Sequence, residues 1–343
     1  MAEITGSVSI LGAAALVAAA ALLSVVMIPA LRPLLTRHAL ARPNARSSHK
    51  VPTPQGGGIA VVAATIAVSS GAFVLLDAAA AALPWTVFAA VVLIAGVGAT
   101  DDIRPLGVLP RLLLQAAAVA AVVFTLPADL RVLPAAPWWI ERSAFVVGGL
   151  WFVNLVNFMD GLDWMTVAEV VPITAALAAI GSLGPLPPQA IVVSLALCGA
   201  MIGFAFFNRP VAQLFLGDVG SLPIGLTLGW LLVLLAGNGH RAAALLLPLY
   251  YLADSTITLM RRAVNGEHVW QAHRSHFYQR ATDRGFAVID VVARVFAVNL
   301  ALAALAFATV TMPGRGVELA ALVAGFVLVA CLLWTLARGR VAK

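Results

Sequence analysis

Apolar runs of about twenty residues, the length a helix needs to cross a bilayer's hydrocarbon, recur along the whole chain. Short segments rich in Pro, Gly and charge separate them. Splitting the runs at these breaks predicts eleven helical spans, near 8 to 30, 57 to 76, 84 to 99, 109 to 127, 143 to 157, 165 to 181, 189 to 206, 221 to 236, 242 to 262, 286 to 311 and 317 to 337. The run 143 to 157 is the shortest; without it the count is ten and every later segment inverts. The ten-residue apolar/polar alternation of a transmembrane barrel is absent. The fold class is therefore all-α, a polytopic integral membrane protein. With no internal repeat, residues 1 to 343 read as a single integral membrane domain.

Composition agrees: 62% of the 343 residues are hydrophobic and 10% charged, far from the balance of soluble domains. A soluble enzyme is excluded. The net charge of +6 raises nucleic acid as a partner, but the basic residues sit in short loops between spans, so none is expected. The first run is too long for a signal-peptide core and is followed by Arg32, Arg37, Arg42, Arg46 and Lys50, which predicts a retained span with a periplasmic N-terminus. Eleven crossings then put the C-terminus in the cytoplasm. This orientation gathers sixteen of the twenty-one Lys and Arg on the cytoplasmic side, as the positive-inside rule requires. Cys198 and Cys331 fall inside apolar runs and are expected to pack there.

The acidic residues, which played no part in setting the topology, converge on that same side. Asp101 and Asp102, Asp160 and Asp163, and Asp218 all fall in or beside cytoplasmic loops, near 31–56, 100–111, 157–164, 207–220 and 261–285. Adjacent carboxylates repel and need a cation or a basic partner. In the third loop Asn154, Asn157, Asp160 and Asp163 recur every three residues, which predicts a polar helical stripe leaving the bilayer; a capped helix end is the plainer alternative. In the fourth, glycines flank Asp218 and Ser221 is placed to cap the next helix. A hard oxygen ligand there suits magnesium, which takes one or two carboxylates and completes its shell with water and phosphate.

The fifth loop carries His268, His273, Arg274, His276, Arg280 and Arg284. Contacts to an anionic substrate fit it better than zinc, because no cysteine accompanies the histidines. The first loop ends in Gly56-Gly57-Gly58, either a phosphate cradle or a flexible entry to the second span. Asp254 and Arg294 lie inside spans, where a pair across neighbouring helices is expected. Glu169 and Asp290 lie nearer span ends.

Five segments in order resemble the polyprenyl-phosphate N-acetylhexosamine-1-phosphate transferases, the glycosyltransferase family 4 enzymes: PNARSSHKVPTPQGGGIA, Asp101-Asp102, NLVNFMDGLDW, FLGDVGS and HRSHFYQR. The resemblance covers nearly all of the chain. It implies transfer of an N-acetylhexosamine 1-phosphate from a UDP-sugar to undecaprenyl or another polyprenyl phosphate, with release of UMP. It also implies Mg2+, with Mn2+ as a substitute, and a multi-pass protein of the bacterial inner membrane whose site faces the cytoplasm; a homodimer is compatible with it. By motif, Asp218 resembles the metal ligand, and Asp101, Asp102 and Asp160 the catalytic carboxylates. Asn154, Asn157, Asp163, Asn208 and Phe215 match nucleotide-site positions, His273 and His276 the histidine motif. Arg111 and Arg274 join them as substrate-binding cations on charge grounds.

Two departures bear on the branch. Trp164 stands where the family commonly has Gly, which predicts a reshaped nucleotide pocket. The fifth loop reads HRSH rather than a triple histidine, which favours O-antigen or another surface glycan, within lipopolysaccharide biosynthesis, over the phospho-muramoyl-pentapeptide transfer of peptidoglycan. The sugar is not legible. A secondary transporter is the competing class, but its ionisable groups would sit near the midplane; a catalytically inactive relative is another.

Overall fold

The computed structural model describes residues 9–41, 52–75, 83–268 and 273–339. The helices are α1 (Ile10–His38), α2 (Gly58–Leu75), α3 (Trp85–Ile103), α4 (Val108–Phe124), α5 (Trp138–Met159), α6 (Met165–Gly181), α7 (Pro188–Ala205), α8 (Asp218–Gly237), α9 (Arg241–Leu246), α10 (Leu249–Val264), α11 (Phe277–Asp283), α12 (Val288–Thr311) and α13 (Arg315–Arg338). A small antiparallel pair of strands, β1 (Leu40–Ala41) with β2 (Thr53–Pro54), and a parallel bridge between Gln55 and Phe215 interrupt an otherwise helical chain among the described residues. Eight helices are long and apolar enough to cross a membrane, and α4 and α6 are shorter apolar helices. The protein is thus a helical multi-pass membrane protein. Each of the eleven apolar runs coincides with a helix, except that 242–262 is broken at Leu247 and Pro248 into α9 and α10. The short run 143–157 extends to the 22 residues of α5.

Water does not drive helices together inside a bilayer, so close packing and buried hydrogen bonds must. Gly199 and Gly203, four residues apart on α7, press against α1: a methyl group on either would run into the carbonyls of Val17 and Ala21. Cys198 is buried as expected, whereas Cys331 is exposed on α13. Where Pro248 ends α9, the first N–H groups of α10 have no intrahelical partner. Glu169, on α6, meets that end: the Tyr251 N–H donates to its carboxylate, and Asn299 Nδ2 of α12 donates to Glu169 Oε2 at 2.6 Å. Glu169 is therefore buried among helices although it lies near the start of α6.

The expected Asp254–Arg294 pair does not form. Arg294 is exposed, donates to the Asp290 carbonyl at 2.6 Å and lies over the Phe286 ring. Asp254 is wholly buried and turns instead to the fifth loop.

Candidate active site

The ends of α3 and α5 and the start of α8 meet at one end of the bundle around a cavity of about 410 Å³. Asp102, Asn157, Asp160, Asp163, Asn208, Phe215 and Asp218 line it, together with Gln55. The opposite ends of α3 and α8 border a separate hollow, lined by residues 83–87 and 184–189. The loops chosen from the sequence therefore share one face.

The junction of α3 and α8 is built on close approach. Gly98 faces the Asp218 carbonyl with no room for a side chain. Asp102 Oδ1 and Oδ2 accept the N–H groups of Asp218 and Val219, each at 3.1 Å. Asp102, not Ser221, caps α8, which starts three residues earlier than its hydropathy suggests. Asp101 accepts from Leu106 N–H at 2.6 Å and Arg111 Nη1 at 2.8 Å, and its carboxyl lies beside that of Asp218. Arg111 Nη1 also lies 3.9 Å from Asp218 Oδ2.

The glycine run 56–58 is no phosphate cradle. Its N–H groups donate to the Phe215 and Leu216 carbonyls, and Gly58 lies so close to Gly220 that a side chain at either would collide with the other's backbone. Residues 43–51 of the first-loop motif lie outside the described residues.

The expected polar stripe divides. Asn157 Nδ2 donates to Asp218 Oδ1 at 2.8 Å and Ser221 Oγ at 2.9 Å. Asn154 instead donates to Gln115 Oε1 at 2.7 Å and borders a different space, an apolar groove of about 510 Å³ between α4, α5 and α10. Helix α5 stops at Met159, so Asp160 and Asp163 sit on the turn beyond it. Thr166, which sequence reasoning passed over, donates to Asp160 Oδ1. Burial, and then the charges of Asp218 and Asp163, push the Asp160 carboxyl up to about 7. Burial also raises Asp163, against the Ala212 N–H that lowers it; its Oδ1 is buried without a partner.

Trp164 adopts φ +63, a left-handed conformation that explains why Gly suits this position. Its side chain is not part of the wall of this cavity. The indole Nε1 donates to the Ala205 carbonyl at 2.6 Å, and the Trp164 N–H to Asn208 Oδ1 at 2.8 Å. Asn208 Nδ2 in turn donates to the Leu214 carbonyl, so this side chain braces the fourth loop as well as lining the cavity.

The fifth loop docks on the same turn. Tyr278, fully buried, donates from its hydroxyl to the Phe158 carbonyl at 3.0 Å and leaves no space for a side chain at Gly161. His273, His276 and Arg274 are not on the cavity wall. Arg274 pairs with Asp283 at 3.1 Å. Burial, then the charge of His276, lowers the His273 imidazole to about 4.

Four carboxylates line the cavity, and its described wall holds no Lys, Arg or His. An anionic substrate entering alone would be repelled. All the donors are oxygens or amides, and among the described residues no three His, Cys, Asp or Glu cluster tightly enough to make a complete metal cage. That set fits a hard cation held by one or two carboxylates and a ligand's phosphate, the habit of Mg2+, with Asp218 and a neighbouring carboxylate on the 160–163 turn as holders.

A family model described as Glycosyl transferase family 4 matches residues 84–236. A probable undecaprenyl-phosphate N-acetylglucosaminyl 1-phosphate transferase of Bacillus subtilis is 24% identical over 301 residues, 81% of this chain and 82% of that protein. Residues 84–236 thus carry the glycosyl transferase family 4 pattern. Phospho-N-acetylmuramoyl-pentapeptide-transferases are similar over shorter stretches. That of Lacticaseibacillus paracasei is 30% identical over 36% of this chain and 37% of its own length, and that of Lactiplantibacillus plantarum 25% identical over 56% and 62%. The family 4 match contains Asp101, Asp102, the third-loop residues and Asp218. The glycine run, Asp254 and the fifth-loop histidines lie outside it.

Proposed function

We propose that this protein transfers an N-acetylhexosamine 1-phosphate from a UDP-sugar to undecaprenyl or another polyprenyl phosphate, releasing UMP and starting a lipid-linked surface glycan such as O-antigen. Its site faces the cytoplasm of a bacterium from the inner membrane. The observation that carries this reading is the position of Arg111. This residue borders the apolar groove, pairs with Asp101 and reaches toward Asp218 on the wall of the polar cavity. A lipid lying in the groove would bring its phosphate to Arg111, beside a donor seated among the carboxylates. Arg111 Nε is buried without a partner, a donor free for a phosphate oxygen.

Bound Mg2+ would supply positive charge to the donor's diphosphate and its leaving group. The chain's own residues do the rest. Asn157 orients Asp218; Asp101 orients Arg111; Asp102 fixes the start of α8. The oxygens of Asp101 and Asp102 are engaged by four protein donors, which disfavours either as the attacking group. A phosphate monoester oxyanion is already a competent nucleophile near neutral pH, its second pKa being about 6. Direct attack by the lipid phosphate on the donor's β-phosphorus therefore suits this arrangement.

A panel of UDP-N-acetylhexosamines, incubated with purified protein, Mg2+ and undecaprenyl phosphate and followed by lipid mass spectrometry, tests the reading and names the sugar. A lipid diphosphate sugar from at least one donor is expected. None from any donor, in folded protein, would overturn it.

A further inference from the structure

A hollow of about 800 Å³ lies at the end of the bundle opposite the carboxylate cavity, and the transfer chemistry makes no use of it. Four pieces of chain close around it: the start of α3, the loop after α4, the loop between α6 and α7, and the end of α8. Pro84, Pro127, Pro185, Pro187 and Pro188 stand on its wall. Each fixes its own φ, so the wall is stiff before any ligand arrives.

Two buried charges hold the loop after α4. Glu141 and Arg142, at the start of α5, are both wholly buried. Glu141 pairs with Arg131 and accepts the N–H groups of Val132 and Leu133 at 2.7 and 2.8 Å. Arg142 Nη2 donates to the carbonyls of Pro127 at 2.6 Å and Leu130 at 3.2 Å, two residues of the wall. Burying charge is costly, and both of these charges serve the shape of one loop.

The wall combines aromatic rings with hydrogen-bonding groups. Trp85, 55% exposed, and the buried Trp230 both line it. Asp129 and Gln189, also on the wall, make no side-chain hydrogen bond or ion pair among the described residues, and Asn238 is fixed by its bond to the Leu234 carbonyl at 2.8 Å. The described wall has no Lys, Arg or His; Arg142 is off it, over the Trp138 ring at 5.6 Å. A lipid phosphate would meet a carboxylate there and no cation. A sugar ring meets partners for both of its aspects: its C–H face rests on an indole, and its hydroxyls donate to Asp129 and exchange hydrogen bonds with the amides. The volume lies within the range of preformed ligand sites and leaves room for more than one ring.

We propose that this hollow binds a neutral glycan, a short run of hexopyranose or N-acetylhexosamine units, through Trp85, Asp129 and Gln189. The site stands apart from the transferase reading and does not depend on it.

Saturation-transfer difference NMR tests it on the full chain in lipid nanodiscs, because maltoside detergents carry sugar themselves. The probes are N-acetylated chitotriose and maltotriose. At least one should bind saturably to the wild type and equally to Asp218→Ala, whose change lies in the other cavity. Asp129→Asn should weaken that binding about tenfold, the scale of a lost charge-assisted hydrogen bond, and Trp85→Ala should remove it. Both residues are exposed, so neither change should shift the melting temperature or turnover appreciably. In the wild type, hydroxyl-radical footprinting read by peptide mass spectrometry should show Trp85 protected by the bound trisaccharide. Failure of both probes to bind would overturn the proposal, as would binding that survives Trp85→Ala or disappears in Asp218→Ala. Protection of Trp85 by choline or ethanolamine but by neither trisaccharide would make the hollow a lipid-headgroup site and overturn it as well.

Discussion

Both carboxylate oxygens of Asp102 are spent on the start of α8, the first on the backbone N–H of Asp218 at 3.1 Å. Through that bond the end of α3 sets where the Asp218 carboxylate points. Asp102→Ala should therefore lower stability by about 0.5 to 2 kcal/mol, as loss of a helix cap does, and lower turnover by far more. Thermal unfolding in detergent and initial rates check the two parts. An inactive variant with unchanged stability would make Asp102 a reacting group rather than a cap.

Arg111 sits where groove and cavity meet, so its loss should fall on the lipid substrate. Arg111→Ala is expected to raise KM for polyprenyl phosphate at least about tenfold, the scale of a lost charge-assisted hydrogen bond, and to change KM for the UDP-sugar little. Arg111→Lys should not restore it fully, because an ammonium cannot hold Asp101 and a phosphate with a planar fork. An effect confined to the UDP-sugar would separate the groove from the acceptor.

Metal binding should depend on pH with a definite sign. Asp160 holds its proton to about pH 7 in the folded chain, against an ordinary value of 3.8. The folded state thus binds more protons than the unfolded one between those values, and metal-free stability falls as pH rises through that window. A cation competes for the same carboxylate, so the rise in melting temperature on adding Mg2+ should grow from about pH 6 to about pH 8. Asp160→Asn should flatten that growth. A stabilisation that shrinks with pH would place the metal elsewhere.

Trp164 joins a strained backbone to a useful side chain. Trp164→Gly relieves the left-handed conformation but loses the indole bond to Ala205; Trp164→Ala loses the bond and keeps the strain. Stability should fall in the order wild type, Gly, Ala, with about 1 kcal/mol between the last two. Denaturation of the three proteins side by side gives the order, and Ala above Gly would contradict it.

These relationships show what a single sequence discloses. The spans were legible because lipid imposes length and apolarity on each segment separately, and the site's face because carboxylates are expensive anywhere but at the interface. The break at Pro248 was hidden by an apolar run that continues across it. Glu169 with Asn299, 130 positions apart, and Asp254 with His276 are pairings between distant segments, which no local pattern encodes. A three-residue period gives a helical face but not the helix's end: α5 stops before Asp160, and Asn154 meets Gln115 rather than the polar cavity. The glycines of 56–58 were visible, but not the strand of loop and the helix that press on them.

The central claim is that a sugar leaves its nucleotide together with one phosphate and passes to a lipid. A UDP-N-acetylhexosamine labelled in its β-phosphate tests this most directly. With undecaprenyl phosphate and Mg2+ present, the label should move to the lipid fraction, with UMP formed in equal amount and only when the lipid is supplied. Label left in water-soluble UDP while the lipid gains sugar, or UMP released without any lipid, would contradict the account.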